Sequence, residues 1–204
     1  MFCHGRKKEN LSTRLGLTSR VVLRVSAARA LLLVSLPLPA QSPAAAEYRA
    51  KANYLAKFAS FVEWPEGALP PGGALFLLCV LGEYPFGVTL AELTRGTTVH
   101  ERRIETRWIS KEQDLQVCQV LFVSHSEEKR YSKVLEAVNG KTVLTVGETP
   151  EFLAAGGIVT FSMQQSTLQF EVNLDEANKA HLKISSRLLA LARHVVNRTE
   201  AAKS

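Results

Sequence analysis

The chain has 204 residues, 46% of them apolar and 22% charged, which is enough to bury a core and too apolar for a disordered protein. Its formal charge of +6 suggests a nucleic-acid partner, but seven Lys/Arg residues and only one acid fall before residue 47. From totals of 25 and 19, the remainder therefore holds 18 basic and 18 acidic residues, and a neutral domain has no electrostatic footprint for nucleic acid.

The first 46 residues have the three parts of an export leader: a basic region ending at Arg29, an apolar run Ala30–Ala40, and the small residues Ala44–Ala46. An eleven-residue run broken by Ser35, Pro37 and Pro39 is shorter than the roughly 20 helical residues that cross a bilayer. We therefore expect cleavage after Ala46, a single exported domain over 47–197, and a disordered tail over 198–204. Cys3 lies in the leader, leaving Cys79 and Cys118. In an oxidising compartment an even pair reads as one disulfide; two separately buried thiols are the alternative.

Apolar residues recur at helical spacing from Ala50 to Trp64, and Pro65 ends the segment, so a first helix is expected there. Ala74–Leu81 is short and apolar on both faces, the pattern of a central buried strand. A short helix over Pro85–Leu93, an extended stretch Val99–Ile109, a strand within Leu115–Val123 and a helix Glu127–Val138 follow. The remaining expectations are a strand Thr142–Val146, a helical turn Pro150–Ala155, and strands Ile158–Met163 and Thr167–Val172 joined by a polar turn. Asn173 suits the N-cap of a last, long helix reaching about Val196. The alternation predicts one α/β domain: a mostly parallel sheet with helices on both faces, a C-terminal antiparallel hairpin and a long final helix.

Motifs for chemistry are weak. Gly140-Lys141-Thr142 ends like a phosphate-binding loop, but Leu135 stands where the first glycine belongs and a strand follows. Ser124-His125-Ser126 follows a strand, yet neighbouring loop residues seldom form a nucleophile–base pair, and no Gly-x-Ser-x-Gly surrounds them; a polar loop or a cap at Ser124 or Ser126 is expected. His100, His125, His181 and His194 lack metal-ligand spacing. No catalytic residue, metal or cofactor is therefore expected. Glu171 and Arg187 could clamp the last strand to the last helix, or could each be solvated alone.

Taken together, Lys51–Pro65, Val120–Ser124, Leu144–Gly147, Gly156–Phe161, Phe170–Ala177 and Leu182–Ala192 resemble the YfiR family of periplasmic proteins. The resemblance implies a regulator rather than an enzyme. On this pattern the chain forms dimers and binds the periplasmic sensor region of an inner-membrane diguanylate cyclase or sensor kinase, holding down cyclic-di-GMP synthesis. It also implies an intramolecular disulfide between core elements, which Cys79 and Cys118 match in position. The family's later, second disulfide has no cysteines here, so redox sensing through it is not expected. A periplasmic small-molecule-binding module is the first rival reading and an enzyme of unrecognised type the second; a pocket lined by Trp64 or Trp108 with convergent polar groups would favour the module, and a nucleophile–base–orienter constellation the enzyme.

Overall fold

Alternating hydrophobic runs and breakers fold into the layered arrangement the sequence predicts, seen in a computed structural model that describes residues 42–197. The basic and apolar parts of the leader and the 198–204 tail lie outside the described residues. In chain order the elements are helix α1 (Pro43–Phe58), strands β1 (Val62–Glu63) and β2 (Leu75–Leu81), helix α2 (Thr89–Thr94), and strands β3 (Thr98–Val99) and β4 (Arg102–Ile109). Strand β5 (Val120–Val123), helix α3 (Tyr131–Ala137), strand β6 (Leu144–Gly147), helix α4 (Pro150–Ala154), and the hairpin β7 (Val159–Gln164) and β8 (Thr167–Asn173) come next. Helix α5 (Leu174–Lys179), strand β9 (Lys183–Ile184), helix α6 (Ser186–Leu189) and strand β10 (His194–Val196) complete it.

The main sheet has eight strands in the order β10-β8-β7-β6-β5-β2-β4-β3. β4, β2, β5, β6 and β7 run parallel, β8 returns antiparallel to β7, and β10 lies parallel to β8 at one edge. Numbered by chain order, the five parallel strands are arranged 2-1-3-4-5. The chain therefore leaves β2 towards one side and β5 towards the other, which makes the gap between their C-terminal ends a topological switch point.

Each face of the sheet buries its own core because side chains alternate along a strand. Phe76, Leu78 and Val80 of β2 face α1, α2, α5 and α6, where Phe58 stacks on Phe161 with ring centroids 5.6 Å apart and meets Phe170 edge-on at 5.2 Å. Burying each such ring contributes about 1.5–3 kcal/mol. Cys79 and Leu81 face the other way, into a second cluster with Tyr131 and Val134 of α3 and Phe152 of α4. This second core has little room beside Phe152: a Cβ on Gly147 or on Gly157 would come within 2.2 Å of its ring.

Two helices differ from expectation. α1 is shifted towards the N-terminus: Ser42 caps it by accepting from Ala45 N–H, Pro43 occupies its first turn, and it ends at Phe58 rather than before Pro65. The apolar residues beyond it, Phe61 and Val62, serve a turn and a strand, because β1 pairs antiparallel with β9. The predicted long final helix is instead two short ones. His181 takes a left-handed conformation (φ 59°), and Leu182 N–H bonds back to Ala177 C=O, a closing motif that ends α5 and turns the chain. Leu182 is thereby buried, Lys183–Ile184 can pair with Val62–Glu63, and Ser185 caps α6. The helical stripe read from Ala177 to Val195 is real as a burial pattern, but pairing with a distant strand overrides helix propensity.

Candidate functional site

The parallel strands deliver their following residues to one edge: Gly82 and Glu83 after β2, Ser110 after β4, Ser124-His125-Ser126 after β5, and Glu148 after β6. Ligands of open α/β sheets bind at this edge.

Glu148, almost fully buried, is its electrostatic centre. Lys51 Nζ donates to its Oε2 at 2.6 Å, and His125 N–H donates to its Oε1 at 2.8 Å, with His125 Nδ1 3.3 Å from the same oxygen. Lys51 also pairs with Glu47 at 2.6 Å, one turn earlier on α1, and its ammonium lies 4.4 Å from the centre of the Tyr48 ring. Burial alone would raise the Glu148 carboxyl, but the Lys51 ammonium and the His125 donors outweigh it and hold the group below its usual range. Burial, followed by the charge of Glu148, pushes the Tyr48 phenol well above its ordinary value. The cluster is internally satisfied and bolts α1 to the ends of β5 and β6.

Ser124-His125-Ser126 is not a nucleophile–base pair. Ser124, buried, caps the 3₁₀ turn His125–Arg130 by accepting from Ser126 N–H, Ser126 Oγ accepts from Glu83 N–H at 2.9 Å, and His125 turns to Glu148. Gly140-Lys141-Thr142 forms the turn into β6, with Gly140 at φ 70°. Among the described residues no group of three His, Cys, Asp or Glu could hold a metal, and no helix is long and apolar enough to cross a membrane.

Cys79 and Cys118 are joined, with Cα atoms 5.9 Å apart, tying the middle of β2 to the residue pair that precedes β5. Asn173 accepts from Glu176 N–H at 3.2 Å and so caps α5. Glu171 reaches Arg193 at 3.4 Å rather than Arg187, which lies exposed on α6; without the long helix, Arg187 is not carried to it.

The other feature of this edge is Trp108, the penultimate residue of β4, 64% exposed at the rim of a groove of about 390 Å³. Trp64, the second tryptophan, instead packs edge-on against Phe76 in the core. Sequence reasoning named Trp108 without the groove, because Gly82, Ser126 and Trp108 meet only through strand order. The buried Lys51–Glu148 pair, 97 residues apart, left no signal beyond two ordinary charges.

The site and the 2-1-3-4-5 strand order define a doubly wound α/β domain whose edge carries a structural ion cluster beside an open groove. The chain belongs to the YfiR/HmsC-like family, whose signature spans residues 48–193. Members of this family are periplasmic regulators in cyclic-di-GMP signalling rather than catalysts. Among solved structures, the chain is similar to the ABC domain of Streptococcus pneumonia in complex with L-Trp, at 11% identity and a TM-score of 0.51, over 71% of this chain and 60% of that one. A conserved domain protein from Vibrio cholerae aligns at 12% identity and a TM-score of 0.47, over 73% of this chain and 60% of that one. The first likeness is one of fold; the chain spans 60% of the length of each of these proteins.

Proposed function

We propose that the domain is exported, cut after Ala46, and binds the periplasmic sensor region of an inner-membrane signalling protein of the diguanylate cyclase type, repressing cyclic-di-GMP synthesis. The observation that carries this reading is the family match beginning at Tyr48, two residues beyond the expected cut. Cleavage there would remove the Ser42 cap and the residues Pro43–Ala46 of α1 but leave Glu47 and Lys51, the helix's share of the ion cluster. The Cys79–Cys118 bond fits an oxidising compartment. A partner with a kinase output, and a homodimer of the free domain, belong to the same reading.

The test has two parts. Protein recovered from the periplasm after expression of the full chain should have an intact mass that begins at Glu47 and is two hydrogens light. Deleting the gene should raise cellular cyclic-di-GMP, and the tagged domain should capture a membrane protein with a periplasmic sensor region. An uncleaved cytoplasmic protein would overturn the export assignment, and an unchanged cyclic-di-GMP level would overturn repression.

A further inference from the structure

The groove at the switch point is not used by the ion cluster, and its walls are fixed. Trp108 does not swing freely, because its Nε1–H donates to Gly82 C=O at 2.7 Å while most of the indole stays exposed. Gly82 has φ 88°, and a Cβ there would lie 2.5 Å from Ser126 Oγ and 2.8 Å from Glu127 Cγ. That close approach brings the β2 end against the turn after β5 and sets the groove's base on the buried residues Leu81 and Ile109.

Five residues with hydrogen-bonding side chains, besides Trp108, line the same space: Glu83, Ser110, Ser126, Glu127 and Arg130. The Ser126 hydroxyl oxygen is occupied by Glu83 N–H, so its own proton is available to donate. Glu127 is mostly buried. Arg130 Nη1 lies 2.9 Å from its Oε2, so the two form an ion pair at the groove wall.

We propose that this groove is a saccharide-binding site, in which the apolar C–H face of a sugar ring stacks on Trp108 and its hydroxyls bond to Glu127, Arg130 and the two serines. The alternatives fit less well. An aromatic ligand gains most from a slot closed on both faces, and only one aromatic wall is present here. A cation would be drawn to Trp108 and to the Glu83 and Glu127 carboxylates, but Arg130 opposes it and the donors of Arg130 and the serines would go unused. A neutral ligand with one apolar face and a rim of hydroxyls, each both donor and acceptor, matches an open groove with one ring and paired donors and acceptors. The site stands on geometry independent of the partner reading, so failure of partner capture leaves it untouched.

The experiment uses protein recovered from the periplasm, ¹⁵N-labelled, in which the indole N–H resonances of Trp64 and Trp108 are followed by NMR. They are assigned with Trp64→Phe and titrated with N,N′-diacetylchitobiose and with maltose. At least one sugar should move the Trp108 indole saturably, with a dissociation constant on the order of millimolar for so small a ligand, while Trp64 stays fixed. Trp108→Ala should weaken binding by about tenfold or more, measured by ligand-observed saturation transfer, and Glu127→Gln by several-fold, with the Trp64 resonance reporting that both variants remain folded. No saturable shift at about 50 mM of either sugar would overturn the proposal, as would undiminished binding by Trp108→Ala. A Trp108 shift produced by L-arginine or L-phenylalanine, but by neither sugar, would reassign the groove to a cation or an aromatic ring and equally overturn it.

Discussion

Replacing Lys51 with Met removes an ammonium group from a pocket in which it is 5% exposed and its partner Glu148 only 3% exposed. The methionine fills most of the volume, so the cost is electrostatic: Glu148 keeps the His125 N–H at 2.8 Å but becomes a buried carboxylate without a counter-charge. Breaking a buried pair from one side costs about 3–5 kcal/mol, and the surviving donors place this case near the lower end, about 3 kcal/mol. For a domain of this size that lowers the melting temperature by roughly 6–12 °C. The assay is urea unfolding followed by circular dichroism, checked for an unchanged m-value. The double variant Lys51→Met/Glu148→Met should recover most of the loss, because the apolar pair carries no desolvation penalty. The pH dependence has a definite sign. The folded Glu148 carboxyl is depressed below its usual value of 4.5, so its contribution is fully present above that value and is lost as pH falls through the folded one. In Lys51→Met burial is no longer outweighed and raises the Glu148 carboxyl above its position in the parent, so the gap should be widest at neutral pH and above and should narrow as pH falls through the variant's raised value. A single variant within about 1 kcal/mol of the parent, or a double variant as unstable as the sum of the singles, would refute the account of the cluster as a buried clamp.

Other perturbations test other parts of the fold. The Cys79–Cys118 bond spans 39 residues, and loop-closure entropy gives it about 4 kcal/mol, so the double alanine variant should lose up to that amount in urea unfolding under oxidising conditions. Gly147→Ala should cost about 1–3 kcal/mol by forcing a Cβ into the Phe152 ring, and Phe152→Leu in the same chain should return part of it, as read from paired thermal melts. His181→Val should destabilise by roughly 1–2 kcal/mol, because a β-branched residue resists the left-handed turn that ends α5, whereas His181→Asn should be near neutral in the same melts.

The parallel core was legible because its signal is local. Leu75–Leu81 and Val120–Val123 are continuous apolar runs too short for helices, and a strand buried on both faces needs nothing else. The hairpin β7–β8 was legible for the same reason, its polar Gln165-Ser166 turn taking two positive φ angles between alternating strands. The long last helix misread a burial pattern as a period. Leu182, Ile184 and Leu188 face the core at spacings a helix could satisfy, but they do so from a turn, a two-residue strand and a new helical turn. What decides between the two is the partner strand Val62–Glu63, about 120 residues away and invisible to any local window.

The candidate site was harder to read because each part looks unremarkable in its own segment. Lys51 reads as the polar side of an amphipathic helix and Glu148 as a loop acid. Only the order of β5 and β6 brings the carboxylate beneath α1, and only burial turns an ordinary pair into one whose loss costs several kcal/mol. Trp108 is the converse case. An apolar strand residue would normally be assigned to a core, yet β4 lies next to the sheet's edge strand β3 and leaves the Trp108 side chain in solvent. Its significance comes from the fixed bond to Gly82 across the β2–β4 pair, since a rigid exposed ring loses little conformational freedom when a ligand stacks on it. The two features share one cause: at a switch point the chain diverges on either side, so residues from four separate strand ends converge where no single segment can announce them.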